Sequence, residues 1–325
     1  RLGVVSIDGT KMPANASKRK SVRYDRAGEV LEYLEGEVAE LMKRAEQADH
    51  DDDSAQQLPG ELKERKTLQA KLQAARAEIE ARNQTRIARE QETFEREKAR
   101  YKKAKEAGEL PEEVSAPKSP TKKLREADQS NLTDPDSRLM CKNKKSAYEQ
   151  SYNPQLAVDA EGTQLIVGAR VSNQAFDYHE LAADVASIPY TLGRPTTVLA
   201  DGSYADHDQA RQVEDQGIAV YVSLNKPKPP AGPRSLRPIA DPPPPPNNNK
   251  AKHPYWQAMQ AKMDTDAGKA LYALRKQTVE PVFGIIKRVL NFREFRMRGM
   301  TNVTAEWNLV AIAYNLKRIH TLNPA

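Results

Sequence analysis

The sequence predicts an α/β fold, a sheet flanked by helices and carrying a long helical insertion, on three observations. Short apolar, β-branched runs alternate with helical patterns near the start and through the second half of the chain. Two of these runs end in the same dipeptide, Asp8-Gly9 and Asp201-Gly202. Between them, from about Asp25 to Ala107, charged residues dominate and apolar ones recur at helical spacing.

Taken in order, residues 2–12 (LGVVSIDGTKM) read as a strand that stops at Asp8-Gly9-Thr10, turn chemistry that exposes a carboxylate at a strand end. The basic stretch Lys18 to Arg23 leads out of the sheet. Val30, Leu34, Val38 and Leu41, then Leu68, Leu72, Ala75 and Ile79, mark two long helices. Ile87, Phe94 and Tyr101 continue the seam at seven-residue intervals. The acidic run Asp49 to Asp53 and Leu58-Pro59-Gly60 supply the break between them. A helical hairpin or coiled coil follows, a solvated spacer or assembly arm rather than a catalytic element.

Pro111 to Pro120 is a linker, and Asn131 to Asp136 is a turn cluster. Residues 152–159 and 164–172 read as strands joined by a hairpin turn at 160–163. Asp177 is expected to cap a helix running to about Ile188, and TTVLADGSY at 196–204 is a further strand. A helix from Asp206 to Gln216 closes at Gly217, and AVYVSL at 219–224 is one more strand. Lys226 to Asn249, with its proline run and three asparagines, reads as an extended, poorly ordered loop. From Tyr255 the pattern is helical to Ala270 and on through Lys287. FREFRMRG at 292–299 follows, and then a last helix from about Thr304 to Leu322 whose Trp307, Val310, Ala311, Tyr314 and Leu316 suit docking on a sheet.

Composition narrows the function. Lys and Arg outnumber Asp and Glu 51 to 45, which favours a polyanionic partner. Cys141 is the only cysteine, so no disulfide framework or cysteine zinc cluster is possible, as in a reducing cytoplasm. No apolar run approaches the roughly 20 residues of a membrane span, and the N-terminus lacks a signal-peptide core. The chain opens at Arg1 directly into a strand, which reads as a fragment with something missing upstream.

Two strands that each deliver an aspartate at a C-terminal end place two carboxylates together, a pairing that only a cation tolerates. Oxygen ligands without His or Cys select Mg²⁺ or Mn²⁺. Two such ions about 4 Å apart stabilise both the entering and the leaving oxygen of a phosphoryl displacement. Glu280, in QTVEPVFGIIK, is the candidate third carboxylate. Each acid alone has an ordinary place in a turn or on a helix face, and the combination carries the reading. Asp159 and Asp177 are assigned to turn and N-cap roles, and His179 and His207 to the surface. Around Glu280 lie Tyr272, Arg275 and Lys287, candidates to hold a DNA phosphate, followed by Arg288, Arg293, Arg296 and Arg298. Phe292 and Phe295, interleaved with them, are assigned to the core.

The segments IDGTKMPANAS, YNPQLAVDAEG, VLADGSYAD, RKQTVEPVFGIIKRV and FREFRMRGMTNVTAEWNLVAIAYNLKRI resemble DDE transposases of bacterial insertion sequences. The resemblance covers most of the chain outside the helical insertion and the proline loop. It implies an RNase H-like fold with a mixed sheet between helices, with Asp8 and Asp201 as the first two metal ligands and Glu280 as the third. Part of that family carries a Tyr-Arg-Glu-Lys signature with two, three and six intervening residues. Here Tyr272 to Arg275 and Glu280 to Lys287 fit, whereas four residues separate Arg275 from Glu280. The implied chemistry has two stages at one site: hydrolysis at a transposon end, then attack of the freed 3′-hydroxyl on target DNA. Family members also carry a helical DNA-binding domain ahead of the first catalytic strand, which this chain is expected to lack.

The expected organisation is therefore a first catalytic strand and exit (1–24), a helical hairpin insertion and linker (25–130) and an RNase H-like core (131–225). A disordered Pro/Asn-rich loop (226–254) and C-terminal catalytic helices (255–325) complete it. The expected partners are transposon-end and target DNA and further copies of the chain, with no membrane, in the nucleoid-associated cytoplasm of a bacterium. Two rivals stand beside this reading: a structure-selective nuclease on the same fold, and a non-catalytic assembly protein or decayed transposase copy.

Overall fold

The computed structural model describes residues 2–48, 58–107, 116–121, 123–141, 147–224 and 253–323. The acidic run Asp49 to Asp53 and the expected loop of Lys226 to Asn249 lie outside them. In chain order the strands are β1 (Val4–Gly9), β2 (Met12–Pro13), β3 (Ser21–Arg23), β4 (Gln129–Asn131), β5 (Arg138–Met140), β6 (Glu149–Asp159), β7 (Ile166–Ser172), β8 (Thr197–Ala200) and β9 (Ala219–Val222). The helices are α1 (Tyr24–Ala48), α2 (Leu58–Glu106), α3 (Leu181–Ala186), α4 (His207–Glu214), α5 (Pro254–Asp264), α6 (Asp266–Arg288) and α7 (Met300–Leu322). They fall into two compact units, residues 1–15 with 137–325, and residues 16–136.

The first unit is built on a seven-stranded mixed sheet. β6 pairs antiparallel with β1 and with β7, while β1, β8 and β9 run parallel, giving the spatial order β7-β6-β1-β8-β9. β2 and β5 pair antiparallel with the first part of β6. Side chains alternate across a strand, so Val5 and Ile7 of β1 enter one core with Val198, Ala200, Val220 and Val222. Leu181 and Val185 of α3, Val213 of α4, and Trp256 and Met259 of α5 cover that face. Ser6 and Asp8 point to the other face, where α6 lies. There Val279, Val282, Phe283 and Ile286 of α6 and Val303, Trp307, Ala311 and Tyr314 of α7 pack on Tyr152, Leu156 and Val158. Each of the four α6 side chains contributes roughly 1.5–3 kcal/mol by leaving water.

Polar side chains complete the backbone where the regular ladders stop. The indole N–H of Trp307 donates to the Gln155 carbonyl at 3.1 Å. Asn315 accepts from Ile166 N and donates to Ile166 O, both at 2.8 Å, extending the edge of β7 onto a helix. Pro281 sits inside α6 and has no N–H for the Gln277 carbonyl. Gln164 Nε2 supplies that bond at 2.8 Å.

The second unit is an α1/α2 hairpin in which Ala27, Leu31 and Leu34 of α1 and, as expected, Leu72, Ala75 and Ile79 of α2 are buried. The α1 stripe is thus shifted from the expected one, with Val30 only partly buried. Its strands β3 and β4 pair antiparallel. Asn131 is fully buried, accepting from Thr133 N and Asp134 N and donating to Ser17 O. Asn83 of α2 donates to Asp128 at 2.8 Å, and Arg82 donates to the Gln129 carbonyl at 2.9 Å.

Four local expectations are corrected. Leu58-Pro59-Gly60 is not a helix break but the first turn of α2, where proline lacks only an N–H that the turn leaves unpaired anyway. The helix expected through 255–287 breaks at Thr265, whose extended backbone ends α5 and whose side chain caps α6 by accepting from Gly268 N. The last helix starts at Met300, four residues before Thr304, after Gly299 takes φ 79°. Asp177 does not cap a helix: it opens a 3-10 turn, Asp177–His179, whose N-cap is Phe176, and its carboxylate points elsewhere.

Candidate active site

β1 and β8 are parallel neighbours in a register running Val4↔Thr197, Val5↔Val198 and Ser6↔Leu199. Two residues further on stand Asp8, the last residue of β1 before Gly9, and Asp201, just past the end of β8. Adjacent strands lie about 4.8 Å apart, so the sheet sets two aspartates side by side at its C-terminal edge. A glycine follows each because the chain is crowded there. A Cβ at Gly202 would stand 2.6 Å from the Ser223 carbonyl, and one at Gly9 would stand 2.3 Å from Gln155 Nε2.

The environment of Asp8 is anion-rich. Its Oδ1 accepts the Gly9 N–H at 2.9 Å and its Oδ2 faces Arg275 Nη1 at 3.3 Å. Burial, then the charge of Asp201, push its pKa up to about 7, against the opposing pull of Arg275. Arg275 Nη2 also reaches Glu280 Oε1 at 3.3 Å, so one guanidinium joins the two acids. Burial works against the Arg275 charge, but Asp8, then Tyr272, Asp201 and Glu280, outweigh it and hold its pKa above the ordinary value. The Arg275 side chain is only 10% exposed and Asp8 19%, whereas Glu280 is 52% exposed. Asp201 Oδ1 accepts both the backbone N–H, at 2.7 Å, and the hydroxyl of Ser203.

Among the described residues no three His, Cys, Asp or Glu side chains are set to hold a metal ion. Asp8 and Asp201 nonetheless suit one: hard oxygen donors, crowded enough that one of them is held partly protonated near neutrality. Glu280 meets this pair through Arg275 rather than directly.

The remaining basic and aromatic candidates divide. Tyr272 donates to the Ala200 carbonyl at 3.2 Å, next to Asp201. Lys287 donates to Thr10 Oγ1, two residues beyond Asp8, and lies over the Phe283 ring. Tyr272, Arg275 and Lys287 therefore line the carboxylate end of the sheet. Arg288 is exposed at the end of α6. Arg298 holds the Asn15 carbonyl at 2.8 Å, and the Arg296 backbone is bound by Glu306 and by Asn15. Those two arginines thus brace the segment after α6 against the one after β2. Phe295 is buried in an aromatic cluster with Phe292, Trp307 and Tyr152. Asp159 binds Thr163 N at 3.1 Å in the β6–β7 turn.

Asn153, Gln155 and Ser203, which the sequence reading did not single out, stand beside the site around Asp177, which it assigned to an N-cap. Asp177 accepts from Asn153 Nδ2 at 2.7 Å, Gln155 Nε2 at 2.9 Å and Ser203 Oγ at 3.2 Å. The available signal was two amide side chains within the long strand YNPQLAVD, because polar groups buried in a strand are there to bond something.

No curated protein and no solved structure matches the chain. Residues 247–320, which hold α5, α6 and nearly all of α7, match the family model described as Transposase DDE domain, so that this segment is similar to the DDE domain of transposases.

Proposed function

We propose that the chain is the catalytic part of a transposase that cuts DNA and rejoins it at one site formed by Asp8, Asp201 and Glu280. One observation carries this reading: Asp8 and Asp201 end neighbouring parallel strands, and Arg275 ties Asp8 to Glu280 from α6, inside the matched segment. The sheet order, antiparallel β7-β6-β1 followed by parallel β8 and β9, supports an RNase H-like core. Bound divalent ions, Mg²⁺ or Mn²⁺ on Asp8, Asp201 and Glu280, would supply charge neutralisation at the scissile phosphate.

The protein's own groups do the rest. Before ions bind, Arg275 keeps Asp8 and Glu280 together and offsets their charge. Lys287, next to Thr10, and Arg288 present cations on the side where the carboxylates open, suited to the DNA backbone. Arg296 and Arg298 shape that margin. The hairpin of residues 25–130 serves as an arm for assembly or backbone contacts. Self-association is supported by a stripe on α7: Leu309, Ile312, Leu316 and Ile319 are exposed at heptad spacing and uncharged, as a helix pairing with a second copy of itself requires. The element is read as a bacterial insertion sequence, with the enzyme acting in the cytoplasm.

Incubation of the protein with Mg²⁺, a duplex carrying the ends of its own element and a target plasmid tests this. Cleavage followed by strand transfer is expected, and both should vanish in Asp201→Asn. Cleavage without joining would establish the nuclease instead, and Mg²⁺-dependent cleavage that survives Asp201→Asn would refute the site.

A further inference from the structure

Asp177 is the acidic group that the chemistry above leaves unused, and its surroundings are specific. It lies in the 3-10 turn after β7, beside the polar side of β6. Asn153 and Gln155, both 1% exposed, project from β6 and donate amide hydrogens to the same oxygen, Oδ1, at 2.7 and 2.9 Å. Gly9 leaves the space through which Gln155 reaches. The other oxygen, Oδ2, faces Ser203 Oγ at 3.2 Å. Oδ1 of Asp177 is therefore engaged by neutral donors, while its Oδ2 and Oδ1 of Asp201 share the single hydrogen of the Ser203 hydroxyl. Ser203 in turn holds Oδ1 of Asp201 through its amide and its hydroxyl, so that oxygen has a fixed direction.

We infer that Asp177 and Ser203 are positioning residues for Asp201: the amides of β6 fix Asp177, Asp177 fixes Ser203, and Ser203 fixes the second aspartate of the site. The hydroxyl has one hydrogen and two carboxylate neighbours. Its place between them makes the orientation of Asp201 depend on a residue on a different strand connection. Partners of this kind set the direction of a metal-binding carboxylate, and removing one weakens binding about 10–100-fold.

The inference rests on Asp201 being a metal ligand, and its test separates the two claims. Mn²⁺ affinity is measured by titration calorimetry, with thermal unfolding alongside, for the wild type and for Asp201→Asn, Ser203→Ala, Ser203→Thr, Asp177→Asn and Asp177→Asn/Ser203→Ala. Asp201→Asn is expected to abolish the tight site; if affinity is unchanged, the metal assignment itself is overturned. Ser203→Ala is expected to weaken Mn²⁺ binding about tenfold and Ser203→Thr, which restores the hydroxyl, to recover it. Asp177→Asn is expected to weaken binding in the Ser203 background and to add nothing in the Ser203→Ala background, because it acts through that hydroxyl. Equal losses from Asp177→Asn in both backgrounds, or full affinity in Ser203→Ala, would overturn the positioning chain while leaving the Asp201 assignment intact. Should Asp177→Asn not fold, the comparison of Ser203→Ala with Ser203→Thr decides alone.

Discussion

Replacing Asp8 by Asn should make the protein less sensitive to alkaline pH, even as it removes the enzyme's function. Asp8 has a pKa of about 7 in the fold against 3.8 as the ordinary value, chiefly through burial and then through Asp201. The folded state therefore binds more protons than the unfolded chain across that interval, and stability must fall as pH rises through it. The relative advantage of the fold is full below pH about 3.8 and is gone by about 7, for a total near 4 kcal/mol at about 1.4 kcal/mol per unit. Between pH 5 and 8.5 the share lost is about 2.5 kcal/mol, since part of the titration has already occurred by pH 5. Asparagine carries no charge at either end of the range. It leaves Arg275 with one carboxylate fewer, but that cost is the same at every pH and shifts the offset rather than the slope. Asp184, which burial lifts to about 8 despite Arg170, titrates in both proteins and cancels in the difference. Urea unfolding followed by the fluorescence of Trp256 and Trp307, at pH 5, 6, 7 and 8.5, gives the quantity directly. The stability of Asp8→Asn minus that of the wild type should grow by about 2–3 kcal/mol from pH 5 to 8.5. Saturating Mg²⁺ should flatten the wild-type curve and leave the variant unmoved. A difference that stays constant within about 0.5 kcal/mol would show that Asp8 is neither desolvated nor crowded, and the electrostatic argument would fail.

Four further substitutions have defined outcomes. Gly202→Ala places a Cβ 2.6 Å from the Ser223 carbonyl and should destabilise the fold by about 1–3 kcal/mol. Gly36→Ala, which meets nothing within 4 Å on α1, should stabilise it by about 0.5–1 kcal/mol, both measured by urea unfolding. Asn315→Leu leaves the Ile166 N–H and carbonyl without their partner and should cost about 1–3 kcal/mol, with faster amide exchange along β7. Lys287→Met should weaken DNA binding at low salt, reduce the slope of log affinity against log salt by about 1, and leave the unfolding midpoint nearly unchanged. An unchanged slope would remove Lys287 from the DNA interface.

Much of the sheet was legible because strand ends carry strong local chemistry. Asp8-Gly9 and Asp201-Gly202 marked two strands that the fold sets side by side in parallel, and the apolar face of α7 was visible from Trp307 to Tyr314, although Leu316, expected on the same face, is exposed. The spacing between Arg275 and Glu280, longer than the signature by one residue, gave no direct sign of their contact. The fold brings them together with Asp8 through the length of the arginine side chain. Helix ends were read less well, since Thr265 both stops α5 and caps α6 and a periodic pattern runs through it unbroken. Asp177 was misplaced for a similar reason: an aspartate before a helical stretch suits an N-cap, and its true partners, Asn153, Gln155 and Ser203, lie on distant segments. The short strands β3, β4 and β5 carried too few residues to declare a period.

The proposed chemistry stands or falls on where divalent cations bind. Crystals of the protein soaked in Mn²⁺ and measured at the manganese absorption edge should show an anomalous peak touching the carboxylates of Asp8 and Asp201, with the Arg275 guanidinium displaced from between Asp8 and Glu280. Density elsewhere, with Arg275 still joined to both acids and no peak at the ends of β1 and β8, would contradict it.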